Sequence, residues 1–345
     1  MGSHLGYLMQ RLGRAARKHV LNDVRRGDLR KPWHFATTLL KRWIFGYPYL
    51  LEIEPSNVCN IRCPLCPSPP WLITRRKRFM SYEDFMTIVE NVSGVVHNIY
   101  ITGCGEPLLN RDIWRMVRYA ADRGLSTSIS TNATLFTDKW IEEVFMSGLD
   151  HLIFSFDGVS KKSYEHFRVG ADFYVVRRNI ERICAKRQEL GISKPFLEWQ
   201  FILNRYNEDE VELAHALSKQ WGIDRFHVKS LSLNEHLYDD EKLRELAREY
   251  LPRKGRMPYK MRYKWKGQVL QPKPRGKTCA LPMQSPVILV DGSVSICCMD
   301  INGQYTIGNV LKQPFVKLWH SPAYRKMRNR AHMRELPICA RCPAF

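Results

Sequence analysis

The chain has 345 residues, enough for a full-sized α/β core with an appendage. Its 54 Lys and Arg against 34 Asp and Glu leave a net charge of +20. That charge points to anionic partners, whether phosphorylated substrates, nucleic acid or acidic membrane surfaces. No run of 18 or more apolar residues occurs, which excludes a spanning helix. The ten cysteines are bunched at CxxxCxxC and CxxC spacings with no visible signal peptide, so they read as reduced thiolates on metal in the cytosol rather than as disulfides.

Residues 5–26 read as a basic amphipathic helix. Leu5, Leu8, Met9, Leu12, Ala16 and Val20 recur at helical spacing among Arg11, Arg14, Arg17, Lys18, Arg25 and Arg26. Such a helix packs on a domain with its basic face solvated, or it docks on a membrane surface or a partner. From residue 47 strand and helix alternate. Leu50 to Glu54 is a strand that leads directly into Cys59, Cys63 and Cys66. Three thiolates at this spacing suit an iron–sulfur cluster. They also suit zinc if a distant fourth ligand is supplied.

Tyr82 to Val92 is a helix capped by Ser81, and His97 to Thr102 is a strand ending in the turn Gly103-Cys104-Gly105-Glu106-Pro107. Glycines there let a ligand approach the backbone, and Glu106 or free carbonyls offer acceptors to an ammonium group. A helix over Asp112 to Arg123, a strand over Leu125 to Ser130 and a helix over Asp138 to Met146 follow. Next come a strand over His151 to Phe156, a helix around residues 172–190 and a strand over Phe196 to Leu203. A helix from about Asp209 to Gln220 and a strand at Phe226 to Lys229 complete the series. This alternation implies parallel βα units and an open or closed barrel, with its site at the carboxyl ends of the strands.

Residues 251–277 hold ten basic residues and no acidic one. Tyr259, Met261, Tyr263 and Trp265 alternate there with Lys260, Arg262, Lys264 and Lys266, the period of a strand with one basic face. Basic residues interleaved with aromatics also suit nucleic acid, but a solvated or anion-facing strand in a linker is the preferred reading and nucleic acid is disfavoured. The strands at Val287 to Val290 and Val294 to Ile296 flank the hairpin turn Asp291-Gly292. A helix from about Pro322 then leads back to Cys339 and Cys342. Cys279, one of Cys297 and Cys298, and the terminal pair can supply four thiolates to a cluster or to zinc.

Together these motifs resemble the radical S-adenosylmethionine (radical SAM) superfamily, in its subgroup with a SPASM or twitch extension. The resemblance covers roughly residues 47–235 and 276–345. It implies a partial (β/α)6 TIM-like barrel over 47–235 and a small α+β iron–sulfur domain over 276–345, with a basic N-terminal helical segment over 1–46 and a basic linker over 236–275. It implies two 4Fe–4S clusters, one on Cys59, Cys63 and Cys66 with an iron left open to SAM, the other on Cys279, Cys297, Cys339 and Cys342. SAM contacts are then expected from Gly103, Gly105 and Glu106, from Ser130 and Asn132 of the Ser130-Thr131-Asn132-Ala133 segment, and from Ser155, Arg168 and Ile202. Ala133 stands where the family has glycine, and Leu65 where many members carry an aromatic. An arginine fork suits the SAM carboxylate, and Gln200 is placed to meet substrate.

The implied activity is reductive cleavage of SAM to a 5′-deoxyadenosyl radical that removes hydrogen from substrate carbon, with a flavodoxin- or ferredoxin-type protein as electron donor. Dehydrogenation, epimerisation and dehydration are all open outcomes; epimerisation would use a cysteine such as Cys298 as hydrogen donor. The expected substrate is a small molecule or glycan, sugar-like, cyclitol, aminoglycoside or phosphorylated, and possible membrane contact is peripheral. A peptide-modifying maturase is the alternative within the family. A non-catalytic iron–sulfur or zinc adaptor for a membrane surface or RNA is the alternative outside it.

Overall fold

A computed structural model describes residues 30–66, 72–235, 237–253, 263–266, 269–272, 276–340 and 342. The helix expected over residues 5–26 and the start of the alternating basic strand, including Tyr259 and Met261, lie outside them. The first described element is α1 (Arg30–Phe45). Then come β1 (Leu50–Ile53), α2 (Tyr82–Val92), β2 (Asn98–Ile101), α3 (Ile113–Asp122), β3 (Ser126–Thr131) and α4 (Asp138–Met146). They are followed by β4 (His151–Ser155), α5 (Lys161–Phe167), α6 (Phe173–Glu189), β5 (Phe196–Leu203), α7 (Val211–Gln220) and β6 (Arg225–Ser230).

Strands β1 to β6 pair in chain order and all in parallel, the arrangement expected of a partial TIM-like barrel. Side chains alternate across each strand. Leu51 and Ile53 of β1, Ile99 and Ile101 of β2, and Ile129 of β3 are fully buried in one apolar core with Phe85, Ile88 and Val117 from the helices. The opposite, concave face carries Glu52, Tyr100, Ser128 and Ser130, all partly exposed. The Ser81 cap expected from the sequence is present, and Asp172 caps a second helix start. Ser81 Oγ accepts from Asp84 N (3.0 Å), and the Asp172 carboxylate accepts from Val175 N (2.9 Å).

Several elements depart from the sequence reading, α5 among them. The stretch assigned to a linker contains α8 (Asp240–Tyr250). Its Leu243, Leu246, Ala247 and Tyr250 pack with Leu65, Phe167, Leu231 and Leu233 into a second apolar cluster beside the cysteine loop. Downstream, β7 (Tyr263–Lys266) pairs antiparallel with β8 (Val269–Pro272), so the alternating strand is one arm of a hairpin. The C-terminal segment forms α9 (Leu281–Gln284), β9 (Val287–Ile288), β10 (Ser293–Ser295), β11 (Thr306–Asn309), α10 (Phe315–His320), α11 (Pro322–His332) and α12 (Pro337–Ala340). Its hairpin does not stand apart. β9 runs parallel to β1, with Glu52 opposite Val287, so one nine-stranded sheet runs β11-β10-β9-β1-β2-β3-β4-β5-β6.

Helix α1 closes the amino-terminal end of the barrel. Lys31 Nζ donates to Asp150 (2.6 Å) just before β4. His34 meets His97 just before β2 (Nδ1 to Nδ1, 3.0 Å) and packs on Gly124 just before β3. The carboxyl ends of the strands are left to the cysteine loop and the segments that follow β2, β3 and β4.

Candidate functional site

The cysteine loop leaves β1 at Glu54 and is held from several sides. Ser56 Oγ accepts from Val58 N (3.0 Å), Arg62 N donates to Val169 O (2.7 Å), and Cys66 N donates to Cys63 O (3.1 Å). Cys63 is buried, while Cys59 and Cys66 are partly exposed. Burial, foremost, pushes the Cys59 thiol up to about 11, with Glu106 and Cys63 adding to the rise. Burial therefore opposes the free thiolate, and a bound metal cation reverses that preference.

The turn after β2 packs against this loop. A Cβ on Gly105 would stand 2.5 Å from the carbonyls of Ser56 and Val58, and one on Gly103 would stand 2.6 Å from Glu54 Cγ. Both glycines are needed for protein–protein contact between the two loops; the space their side chains would take is filled by the chain itself. Glu106 is fully buried, and its carboxylate is already engaged. Oε1 accepts from Thr131 Oγ1 (2.6 Å) and Leu108 N (3.1 Å), and Oε2 accepts from Asn132 N (2.9 Å). It braces the end of β2 to the end of β3, which leaves backbone carbonyls as the acceptors this turn can offer an ammonium group.

Beyond β3, Asn132 Nδ2 donates to Asn60 Oδ1 (3.0 Å) and Asn60 Nδ2 to Thr134 Oγ1 (2.8 Å), fastening this segment to the cysteine loop. Ala133 has φ +59°, the left-handed region that favours glycine, a backbone cost of about 1–2 kcal/mol. Its N–H is held by Thr131 Oγ1 (3.0 Å) and its carbonyl by Asn179 Nδ2 (2.9 Å). Ser130 and Ser155 face each other across β3 and β4, Oγ to Oγ 3.4 Å.

Arg168 stands directly over the cysteines, but its fork is taken. Nε donates to Asp157 Oδ2 (2.6 Å), Nη2 pairs with the same carboxylate, and Nη1 reaches Cys63 Sγ (3.6 Å). Asp157 Oδ1 in turn accepts from Ile202 N (2.6 Å), so the end of β5 is part of the same unit. Asp157 lies inside the Phe154-Ser155-Phe156-Asp157-Gly158 run, the sequence signal that could have marked it as the partner of Arg168. Burial, the largest single effect, lowers the Arg168 guanidinium, but Asp157, Cys63 and Tyr164 together outweigh it and raise the group above its ordinary range, so this arginine is a fixed cation beside the cysteines.

Glu54, at the start of the cysteine loop, joins three segments. Arg75 Nη1 and Nη2 donate to its two oxygens (2.7 and 2.8 Å), Cys104 N donates to Oε1 (3.3 Å) and Val290 N to Oε2 (2.9 Å). Arg75 Nε reaches Ile301 O (2.7 Å). This clamp holds the C-terminal hairpin against the barrel.

In the C-terminal segment, a largely apolar cavity is lined by Cys279, Cys297, Cys339 and Cys342, with Ile296 and Ile338. Burial, foremost, pushes the Cys297 thiol up to about 12, with Cys342 and Cys339 among the neighbours that raise it further. Four soft donors around an apolar hollow fit a fully ligated cluster. Cys298 does not line that hollow. It is exposed, and Glu52 and Cys297 are among the neighbours whose charge raises its thiol. Glu52, beside it, is pushed up to about 7 by burial and by Glu54.

The profile of the radical SAM superfamily matches residues 53–193, and that of an iron–sulfur cluster-binding domain, SPASM, matches residues 279–343. The chain belongs to the radical SAM superfamily and carries a SPASM domain. These two domains imply SAM and two 4Fe–4S clusters as cofactors.

Similar proteins include a tungsten-containing aldehyde ferredoxin oxidoreductase cofactor-modifying protein of Pyrococcus furiosus, 29% identical over 202 residues, or 55% of each chain. A GTP 3',8-cyclase of Clostridium botulinum is 28% identical over 55% of this chain and 59% of its own. A PqqA peptide cyclase of Bradyrhizobium diazoefficiens is 30% identical over 54% of this chain and 47% of its own. The chain spans about half the length of the curated relatives it matches. Among solved structures, BtrN in complex with AdoMet and 2-DOIA superposes with a TM-score of 0.56 at 17% identity, over 86% of this chain and 92% of its own. Streptococcus suis SuiB bound to S-adenosylmethionine gives 0.59 at 17% identity, over 94% and 79%. These likenesses establish the shared fold.

Proposed function

We propose that this radical SAM enzyme abstracts hydrogen from a polar, hydroxylated and anionic small molecule or glycan held on the concave face of the barrel. The observation that carries this reading is the chemistry of that face. Tyr100 on β2, Ser128 and Ser130 on β3 and Gln200 on β5 offer hydrogen bonds, and Arg225, His227 and Lys229 line β6 at the edge of the sheet. Glu198 is fully buried and pairs with Arg225 and with His227 Nδ1 (3.1 Å), so the cationic edge is ordered from within. Most apolar strand side chains go to the opposite face, with Ile153 and Ile202 the exceptions on this one. A sugar, cyclitol or aminoglycoside ring, free or phosphorylated, matches such a lining better than an apolar ligand does.

SAM and the core cluster, when bound, supply the 5′-deoxyadenosyl radical. The chain's own residues hold them: Cys59, Cys63 and Cys66 as ligands, Arg168 as a fixed cation, Ser130, Asn132, Ser155 and Ile202 around the cofactor. Cys279, Cys297, Cys339 and Cys342 are assigned to the auxiliary cluster. Glu52 and Cys298 then stand on the substrate side, the first placed to accept a proton and the second to give a hydrogen atom. A flavodoxin- or ferredoxin-type donor is the expected source of electrons.

Peptide modification is the second reading, favoured by the similarity to a PqqA peptide cyclase and to SuiB, which has been solved bound to its precursor peptide. The test is to incubate reconstituted protein, dithionite and SAM with deuterated candidate sugars, cyclitols and peptides. Deuterium entering 5′-deoxyadenosine from a hydroxylated ring is the expected result; transfer only from peptides would replace it with the second reading. SAM left intact by protein carrying both clusters would overturn the activity itself.

A further inference from the structure

Helix α1 has its amphipathicity turned inside out. The side it lays on the barrel is largely polar: Lys31 pairs with Asp150, His34 meets His97 and the Ser93 carbonyl, and Phe35 packs edge-on against His97. The side it turns outward is apolar. Trp33 is 73% exposed, Leu40 57%, Trp43 84% and Ile44 53%. At about 100° per residue these four fall within a sector of roughly 100°, a continuous stripe along the helix. Among the described residues nothing covers it. A stripe with two exposed indoles is not an ordinary surface, and it asks for an occupant.

Charge identifies the occupant. Residues 1–46 carry ten Lys and Arg and two Asp and Glu, a strong bias within a chain that is itself at +20. A second copy of so basic a surface would be repelled. An anionic bilayer surface satisfies both halves, taking the apolar stripe among its headgroups and the cations at its phosphates. Tryptophan is the residue type that settles at that boundary. No described helix is long and apolar enough to cross a membrane, so α1 can lie only in the plane of the interface.

We propose that α1 docks this enzyme on anionic lipid surfaces through Trp33, Leu40, Trp43 and Ile44. The orientation follows from what α1 touches. It contacts the segments before β2, β3 and β4, at the amino-terminal end of the barrel. The cysteine loop and the concave site then face away from the bilayer, and substrate reaches them from the aqueous side.

The test is flotation of the full-length holoprotein with vesicles of neutral phosphatidylcholine or of phosphatidylcholine with one quarter phosphatidylglycerol. The protein should float with the anionic vesicles only, and less so as salt rises from about 50 to 500 mM. Trp33→Ser with Trp43→Ser should lower the bound-to-free ratio by roughly tenfold per indole, with SAM cleavage in solution unchanged. Failure to float with either vesicle would overturn the proposal, as would flotation of the double variant at the wild-type level. A wild-type dimer that the double variant dissolves, without vesicle binding, would assign the stripe to a second copy instead. A fall in the melting temperature of the double variant with flotation intact would mean that the stripe is covered from within.

Discussion

Removing the Glu54 carboxylate should loosen the C-terminal hairpin from the barrel. The side chain is only 1% exposed and Arg75 only 12%. Glu54 accepts two bonds from Arg75 and one each from Cys104 N and Val290 N. Glu54→Ala therefore strands a guanidinium and two backbone donors. Breaking a buried pair from one side costs about 3–5 kcal/mol, most of it from the charge left behind. For a chain of this length that corresponds to a drop of about 4–7 °C in a two-state melting midpoint. Because Val290 and Ile301 flank Cys297, iron should fall from about eight per chain toward four as the auxiliary site fails. The double variant Glu54→Leu/Arg75→Met removes both charges and should recover part of the loss. Differential scanning fluorimetry and iron analysis read both effects. A Glu54→Ala protein that melts within about 1 °C of wild type and keeps full iron would refute the clamp.

Asp157→Asn keeps the shape at the end of β4 but frees the fork of Arg168. SAM affinity measured by equilibrium dialysis should weaken by about tenfold, or about 1.4 kcal/mol, and unchanged affinity would mean that Arg168 needs no positioning. Stability should also depend on pH through His97, which burial, foremost, and His34 push down to about 3. The unfolded imidazole titrates near 6.5, so the contribution is complete above that value and is lost as pH falls from 6.5 toward 3. At pH 5 the loss is about 2 kcal/mol. His97→Asn should flatten the difference between melts at pH 7 and pH 5, and a wild-type profile equally flat would contradict a neutral buried His97.

Local signals revealed most of the barrel. Period-two runs and glycine stops mark β1 to β6 to within a residue or two, and Asp291-Gly292 marks the turn between β9 and β10. Helix α8 escaped because a count of charge across residues 236–275 averages away its spacing, although Leu243, Leu246, Ala247 and Tyr250 stand at i, i+3, i+4 and i+7. The pairing of Glu52 with Val287 could not be read locally, since strands so far apart leave no mark on each other's periodicity. At the site, the types of residue were legible and their partners were not. Nothing in the spacing says that Arg168 meets Asp157, or that Glu106 is held by Thr131 and Asn132.

Those partners narrow the chemistry left for substrate. Glu54, Glu106 and Asp157 are buried at the strand ends, and each spends its oxygens on the chain's own donors. None can serve as a proton acceptor without dismantling the loop it braces. Glu52 differs. It is partly exposed on the concave face, opposite Tyr100 in the adjacent strand and beside Cys298, and its acid is pushed up to about 7. A carboxyl group with that value holds and releases a proton near neutrality, where acid–base work is most effective. Glu52→Gln should therefore leave SAM cleavage within about twofold while product formation falls by about 10²- to 10⁴-fold, the usual contribution of one positioned acid or base. In the wild type, product formation should rise with pH through a group near 7, and that limb should vanish in the variant. Loss of SAM cleavage and product together, with iron content intact, would place Glu52 with the cofactor rather than with the substrate.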